Sequence, residues 1–281
     1  MGIQHNKSML YGVSLEASII STYNVLSNGS ISMAQALDNT DSSTYGTGSN
    51  AFVLASRQAP YYIYHGTWTG DDGACGVVHA VNDTTGLLET PAIQSWNLTA
   101  ATGVHGLAWG SATDGTQLLY VDDLTGDMIW ANKVDGNTGF VTVLGHVSVE
   151  SGWAPRHVAV HPSSTYRYAT MQTPSLLVSY KLDEETGLVG EEVFRSSLTP
   201  EANSSTWWAA DLALSVSGRY LWASARSMST DYPGYVSAYL LADDGVIIEQ
   251  MFQVPTSTNG AEANVVAPAP WSDEYMAATY Y

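Results

Sequence analysis

One plan of strands recurs along this chain of 281 residues. In each copy a short apolar strand begins with a polar residue, a turn follows, and a second strand contains an aromatic residue. The copies are clearest in the segments GVHGLAWG, APRHVAVHP, AADLALSV and EANVVAPAP. A fixed period filled with strands is typical of a propeller or a solenoid. The chain is therefore predicted to consist of repeated β units.

Five turn glycines give the length of the repeat. They are Gly29, Gly86, Gly139, Gly187 and Gly245. Neighbouring members are 48 to 58 residues apart, and each interval holds about four strand-length runs, which make one propeller blade. A solenoid would have a more uniform spacing, and a parallel α/β fold would need helical crossovers that the sequence lacks. We predict an all-β fold, a seven-bladed β-propeller with four-stranded antiparallel blades, as a single domain over residues 1–281.

Both ends of the sequence interrupt this plan. Residues 7–15 predict one inner strand, and the last residues stop at a similar point of a repeat. We therefore expect the first and last blades to be incomplete in this chain.

The net charge of −18 excludes whole classes of partner. Nucleic acid is not expected because its phosphates would be repelled, and no apolar run is long enough to cross a bilayer. The chain has only nine Lys and Arg, so a cation at a repeated polar position is informative. The single cysteine, Cys75, permits no internal disulfide and no thiolate metal cluster.

Four Asn-x-Ser/Thr sequons predict N-glycosylation at Asn28, Asn82, Asn97 and Asn203. Together with the scarcity of lysine they favour a secreted glycoprotein. The polar start MGIQHNKSMLYG is not a signal peptide, and a cytoplasmic location is the alternative.

Alignment of the repeats places polar side chains at two recurring positions. The opening position is held by His105, Arg156, Asp211 and Asn264. The closing position is held by Leu124, Gln172, Arg226 and Tyr281, and Arg57 is assigned to it as well. Because repeats of a propeller converge on one axis, we expect these positions to form a shared site.

The arginines of these positions predict an anion site. Guanidinium groups stay charged and match carboxylates with two parallel hydrogen bonds. We interpret Arg156 and Arg226 as ligands of a small di- or tricarboxylate or a phosphate. Arg57 is a further candidate for substrate binding, although a pairing with a structural Asp explains it as well.

Histidines and carboxylates supply the candidates for proton transfer. His105 has room beside Gly106 and an ordinary pKa suited to neutral pH, while the alternative is a structural histidine. Asp211 is predicted to orient an Arg or to act as an acid, and Glu262 to face the same ligand as Asn264.

Two further sequence features have competing interpretations. His157 and His161 are four residues apart and share a strand face, but no third ligand is in view, so no metal site is predicted. The pair Trp207-Trp208 belongs to the core or forms the wall of a pocket for an unsaturated substrate.

The segments GVHGLAW, APRHVAVHP, GRYLWASAR, APAPWSDEYMAATYY and RQAPYYIY carry a family resemblance. With them the chain resembles the fungal 3-carboxy-cis,cis-muconate lactonising enzymes, seven-bladed propellers related in fold to one type of 6-phosphogluconolactonase. The resemblance implies a site of a His, two Arg and a Glu without metal or organic cofactor. Matching motifs assign His105, Arg156 and Arg226 to it, but place Gln172 where the family has the Glu. An amide cannot exchange a proton as a carboxyl group does.

Two functions therefore stay open. In the first, the chain is a lactonising enzyme or a lactone hydrolase that acts on a small di- or tricarboxylate, with arginine clamps and His105 as acid or base. In the second, it is a secreted, non-catalytic propeller that binds an anionic ligand or a protein partner, because Gln172 has replaced the family Glu.

Overall fold

The computed structural model describes residues 2–4, 8–15, 18–38, 49–68, 75–98, 103–201, 205–260 and 263–279. The described part contains 22 β-strands and no helix. The first sheet consists of β1 (Gly2–Gln4), β2 (Met9–Val13), β3 (Ile19–Val25) and β4 (Ile31–Asp38). The second consists of β5 (Asn50–Ala55), β6 (Tyr62–Thr67), β7 (Cys75–Ala80) and β8 (Gln94–Asn97). The third consists of β9 (Val104–Ser111), β10 (Gln117–Asp123), β11 (Met128–Val134) and β12 (Val141–Ser148).

Three more sheets follow along the chain. The fourth consists of β13 (Pro155–Val160), β14 (Tyr166–Met171), β15 (Leu176–Leu182) and β16 (Val189–Ser197). The fifth consists of β17 (Trp207–Leu214), β18 (Tyr220–Ser227), β19 (Pro233–Leu241) and β20 (Ile247–Asn259). The last pairs β21 (Val266–Pro268) with β22 (Met276–Ala278). Within every sheet each strand pairs with the next one in the chain.

The predictions of an incomplete first blade and an incomplete last blade have different outcomes. The last sheet has two strands, as the prediction of an incomplete last blade requires. The prediction for the first blade is wrong, because Gly2–Gln4 adds a fourth strand beside Met9–Val13. The strand predicted over residues 7–15 is therefore the second of its sheet and not the innermost one.

The five predicted turn glycines lie between the third and fourth strands of the five complete sheets. Their φ angles run from 71° to 98°, in the left-handed region that glycine adopts without steric cost. At four of the five, a Cβ would in addition lie less than 3 Å from a side chain distant in the sequence. Turn chemistry of this kind depends on residue identity. This explains why the period could be measured from the sequence.

The turn glycines also receive hydrogen bonds from the sheet that precedes them. Tyr11, in the second strand of the first sheet, donates its hydroxyl proton to the carbonyl of Gly86 at 2.6 Å. Tyr120 donates in the same way to Gly187 at 2.8 Å. Each bond buries a polar hydroxyl with its partner and ties one sheet to the next.

Contacts divide the chain into two compact units. One unit contains Met1–Leu107 and Asn132–Leu144, and the other contains Ala108–Ala131 and Gly145–Tyr281. In the first unit, apolar side chains of the first two sheets form one core, which includes Tyr11, Ile20 and Ile63. In the second unit the facing sheets share two cores. The single domain expected over residues 1–281 stays a prediction.

A stacked histidine pair is buried in the second sheet. His65 and His79 are 0% and 3% exposed, and their ring centroids lie 5.5 Å apart. The Nδ1 atom of His65 donates to Asn50 Oδ1, and that of His79 donates to the carbonyl of Glu89. Burial lowers the pKa of His65 to about 3, with His79 acting in the same direction, and burial also lowers the pKa of His79.

The pair predicts a loss of stability in acid. The unfolded chain protonates each histidine near pH 6.5 while the folded chain does not, so stability falls as the pH drops below about 6.5. Each histidine contributes up to about 1.4 kcal/mol per pH unit until its folded pKa is reached. In urea unfolding between about pH 6.5 and 4, His79→Gln should lower the slope of stability against pH. The exposed His146→Gln should keep the wild-type slope, and equal slopes for all three proteins contradict the expectation.

Candidate active site

Three residues of the candidate site, Arg156, His157 and Asp211, lie on the first strands of consecutive sheets. Pro155 of β13 pairs with Met171, and Val158 pairs with Ala169, so Arg156 and His157 together face one residue of β14. This bulge turns two successive side chains away from the regular alternation of a strand. The same irregularity occurs in β17 between Ala209 and Leu212.

The two predicted arginines converge in this unit. Arg156 donates from Nη2 to Asn264 Oδ1 at 3.2 Å, and Arg226 approaches the same oxygen from Nη1 at 3.5 Å. Arg156 also donates from Nη1 to the carbonyl of Ala210 at 2.8 Å. Arg156 is only 6% exposed. One amide oxygen is therefore shared by two guanidinium groups that come from strands 70 residues apart in the sequence.

Two further contacts, with Trp208 and Gln172, position the Arg226 side chain. Its Cζ atom lies 5.3 Å from the centroid of the Trp208 ring, within the range of a cation–π contact. Its Nη2 atom donates to Gln172 Oε1 at 3.2 Å. Gln172 is buried at the end of β14, so the amide that replaces the family Glu is an acceptor for Arg226. Of the two tryptophans, Trp207 is core and Trp208 belongs to the site.

A histidine–carboxylate pair adjoins Arg156. His157 Nδ1 lies 2.5 Å from Asp211 Oδ1, and the two side chains are 12% and 14% exposed. The backbone N–H groups of Leu212 and Val266 also donate to the Asp211 carboxylate. Asp211 therefore links β13, β17 and β21. Burial lowers the pKa of His157, while the nearby Asp211 acts in the opposite direction.

The sequence of most of this chain matches one protein family. Residues 1–260 match the family model described as lactonase, 7-bladed beta-propeller. The chain belongs to this family. The predicted propeller class is thereby confirmed, and the six sheets agree with it.

Named relatives of this lactonase-family chain include two fungal enzymes. The carboxy-cis,cis-muconate cyclase of Neurospora crassa is 34% identical over 238 residues, which are 81% of this chain and 63% of that protein. Muconate cycloisomerase 1 of Cutaneotrichosporon cutaneum is 29% identical over 70% of this chain and 58% of its own length. The chain thus spans about three fifths of these relatives.

Solved structures agree with the fold of the lactonase family. The periplasmic gluconolactonase PpgL of Pseudomonas aeruginosa gives a TM-score of 0.78 at 15% identity, over 99% of this chain and 76% of that one. In sequence, the 6-phosphogluconolactonase of Pectobacterium carotovorum is also similar, with 29% identity over 51% of this chain and 45% of that protein.

Two register predictions for the lactonase-family chain are wrong. Asp211 takes the repeat position of His157 and not that of Arg156. The backbone N–H of Asp211 donates to Ser224 as that of His157 donates to Thr170. The partner of Asp211 is accordingly His157, and not an arginine as predicted.

Arg57 is the second of these corrections. It follows β5, the first strand of its sheet, in an exposed turn beside the cis bond between Ala59 and Pro60. Gln172 and Arg226 instead lie at the ends of second strands. The repeat position assigned to Arg57 is therefore wrong, and its role in substrate binding stays a prediction.

His105 lies in β9, in the other unit of the chain. It is 8% exposed, and its ring contacts Trp68 edge-to-face with centroids 6.1 Å apart. The proton-transfer role of His105 stays a prediction from the sequence.

Other predicted residues fall in turns or outside the described part. Asn28 and Asn82 lie in turns, where their Oδ1 atoms accept backbone N–H groups. The side chains of Asn97, Asn203 and Glu262 lie outside the described residues, as does Tyr281. Glycosylation stays a prediction at all four asparagines.

The described residues contain neither a metal-binding cluster nor a helix that could span a membrane. Among them no group of three or more His, Cys, Asp or Glu side chains could hold a metal ion. His161 follows β13, and its carbonyl accepts the backbone N–H of Ser164 in the turn that follows. In the same part of the chain, no helix is long and apolar enough to span a bilayer.

His157 is a residue of the site that the sequence motifs did not single out. In the sequence it stands only as half of a metal-spacing motif with His161. Alignment of the apolar segments VAVH and LALS, which follow His157 and Asp211, would have placed the two residues at one repeat position. That alignment was the available signal.

Proposed function

We propose that the protein is a lactonase- or cyclase-type enzyme whose small lactone or carboxylate substrate is bound by Arg156 and Arg226. The observation that carries the proposal is the convergence of both guanidinium groups on Asn264 Oδ1. Two positive charges this close repel each other, and an anion bound between them removes the repulsion. Arginine pairs also match the planar, bidentate geometry of a carboxylate.

The relatives support an anionic substrate. The names carboxy-cis,cis-muconate cyclase, muconate cycloisomerase 1 and 6-phosphogluconolactonase each denote a carboxylate or a phosphate. In all three cases a ring is formed or opened. Two arginines that hold one end of a flexible anion assist such ring formation or ring opening.

In the ring-forming direction, the two arginines hold a muconate-like acid so that one carboxylate oxygen meets the double bond. Such positioning lowers a barrier by up to about 7–11 kcal/mol in the best intramolecular cases. A C–O bond forms, the double bond opens, and the adjacent carbon takes a proton from a general acid. The reverse reaction re-forms the double bond without water, whereas hydrolysis of a lactone adds water to its carbonyl carbon.

Two assays test the proposal. Cyclisation of 3-carboxy-cis,cis-muconate is followed by its loss of ultraviolet absorbance, and lactone opening is followed by proton release at constant pH. Turnover of either substrate that depends on Arg156 supports the proposal. It fails if the folded protein neither turns over nor binds either compound.

Gln172 predicts a gain of activity on substitution. Because a carboxyl group donates a proton where an amide cannot, Gln172→Glu should raise the rate of muconate cyclisation by about 10²-fold or more. Gln250→Glu makes the same charge change in the exposed strand β20 and should leave the rate unchanged. Equal cyclisation rates for the wild type and Gln172→Glu contradict the expectation.

The buried amide of Gln172 also favours a second candidate function. A site that keeps its arginines but lacks the family carboxyl group is suited to capture an anion without turning it over. This candidate predicts that citrate or 3-carboxy-cis,cis-muconate binds to the wild type in calorimetry while both assays show no turnover.

A further inference from the structure

The His157–Asp211 pair has the geometry of a base and the carboxylate that orients it. Asp211 Oδ1 lies 2.5 Å from His157 Nδ1, and the Leu212 N–H donates to the same oxygen at 2.8 Å. Asp211 Oδ2 accepts from the Val266 N–H at 2.9 Å. The carboxylate is thus fixed by three contacts and in turn fixes the imidazole ring.

These contacts decide the tautomer of His157. A carboxylate oxygen accepts, so Nδ1 carries the proton and Nε2 presents a lone pair. Arg156 Nη1 lies 3.5 Å from Nε2, at the outer limit of a hydrogen bond. In this tautomer His157 can take a proton but cannot give one from Nε2.

Charged groups on three strands set the protonation of His157. Burial has the largest effect and lowers its pKa, and Arg156 on the same strand acts in the same direction. Asp211 on β17 and Asp122 on β10 oppose this shift. The ring is therefore neutral at neutral pH, which is the form that a general base requires.

Arg156 connects this pair to the anion site. Its Nη1 atom lies beside His157 Nε2, and its Nη2 atom bonds the Asn264 oxygen that Arg226 shares. A ligand whose carboxylate lies between the two arginines therefore has its neighbouring atoms close to the imidazole. The clamp and the base are one residue apart in the sequence.

We propose that His157 is the general base of a lactone hydrolysis, positioned by Asp211, for lactones that carry a carboxylate bound by Arg156 and Arg226. The proposal rests on the function proposed above and specifies the reaction, lactone hydrolysis, and the substrate class. His157 Nε2 takes a proton from water as the water oxygen bonds to the lactone carbonyl carbon. The acyl C–O bond of the ring then breaks, and the imidazolium returns the proton to the departing alkoxide oxygen. The product is a hydroxy acid, and no redox partner is required.

The residue at position 172 agrees with hydrolysis. Beside Arg226, cyclisation would need a proton donor for carbon, and the Gln172 amide that contacts Arg226 supplies none. Hydrolysis needs a base for water, and the His157–Asp211 pair supplies it. The site is therefore better equipped to open a lactone than to close one.

The test uses 5-oxotetrahydrofuran-2-carboxylate, a five-membered lactone with a carboxylate, and γ-butyrolactone as the neutral comparison. Proton release at constant pH gives kcat and KM. The wild type should prefer the carboxylated lactone, and His157→Gln should lower kcat by about 10²–10⁴-fold with a smaller change in KM. Imidazole in the buffer should restore part of the activity of His157→Ala. His146→Gln, an exposed histidine of the same unit, should keep the wild-type rate.

Asp211 is a positioning residue, and its test is a pH profile. Because Asp211 favours the protonated imidazole, Asp211→Asn should move the acid limb of kcat/KM to lower pH in addition to lowering the rate. A merely structural role would lower the rate without moving the limb. If His157→Gln does not fold, the wild-type profile decides, and the absence of an acid limb below about pH 6.5 overturns the proposal.

Failure of this inference differs from failure of the proposed function. If the folded His157→Gln keeps more than about a third of wild-type hydrolysis, or if the protein cyclises 3-carboxy-cis,cis-muconate but hydrolyses no lactone, His157 is not the base. In both outcomes an Arg156-dependent reaction keeps the proposed function intact. If the carboxylated lactone is neither bound nor hydrolysed and no cyclisation occurs, both proposals fail.

Discussion

Arg156→Gln should lower kcat/KM for the carboxylated lactone by about 30-fold to 4,000-fold. Removal of one partner from a buried, hydrogen-bonded charge pair typically costs about 2–5 kcal/mol. Arg156 is buried, and its two Nη atoms donate to the Ala210 carbonyl and to Asn264 Oδ1. A glutamine therefore replaces neither its charge nor its planar pair of N–H donors. Hydrolysis of γ-butyrolactone, which has no carboxylate, should fall much less. Arg156→Lys keeps the charge without the planar fork and should fall in between.

Arg195→Gln is the matched control for this prediction. Arg195 is 43% exposed, pairs with Glu192, and stacks over Trp153 with Cζ at 4.3 Å from the ring centroid. Exposed ion pairs contribute about 0–1 kcal/mol, so kcat/KM should stay within a factor of two of wild type. If the folded Arg156→Gln variant prefers the carboxylated lactone over γ-butyrolactone as strongly as the wild type does, Arg156 does not bind the carboxylate.

Arg167→Met should lower the free energy of unfolding by about 3–5 kcal/mol. Arg167 and Asp122 form an ion pair in which both side chains are 0% exposed. The guanidinium also lies 5.9 Å and 6.0 Å from the ring centroids of Tyr120 and Tyr180. Without the arginine, Asp122 is buried either as an uncompensated charge or as a neutral acid. At roughly 2–4 °C per kcal/mol, the melting temperature should fall by about 6–20 °C.

The double variant distinguishes a lost ion pair from a general packing defect. Asp122→Leu together with Arg167→Met replaces both charges with apolar groups and should recover most of the stability, because a buried pair and an apolar pair of similar volume are close in energy. Thermal unfolding of the wild type, both single variants and the double variant gives the coupling. Additive losses in the double variant contradict this account.

Sequence patterns predicted those parts of the fold that depend on local chemistry. The turn glycines were found because a positive φ selects for glycine, and Gln172 and Arg226 were placed at one position because antiparallel pairing keeps a constant register. Asp211 was misplaced by one residue although β13 and β17 carry the same bulge, because the repeats were aligned on their polar residues and not on the apolar segments VAVH and LALS that follow them. Arg57 was misplaced because its segment LASRQ resembles the ASAR segment that ends β18.

The chemistry of the candidate site was harder to predict than its arginines. His157 and Asp211 are 54 residues apart, and their contact depends on the packing of two sheets. The tyrosine–glycine bonds between sheets join residues 67 to 77 positions apart. Interactions at such separations are selected by tertiary geometry, and one sequence contains no direct signal for them.

The most direct measurement is a crystal structure with 5-oxotetrahydrofuran-2-carboxylate, collected with the His157→Gln variant to prevent turnover. We expect the carboxylate oxygens to lie about 2.7–2.9 Å from Nη atoms of both Arg156 and Arg226, in place of their shared contact with Asn264. The lactone carbonyl should lie beside residue 157. A carboxylate bound away from both arginines would contradict the account.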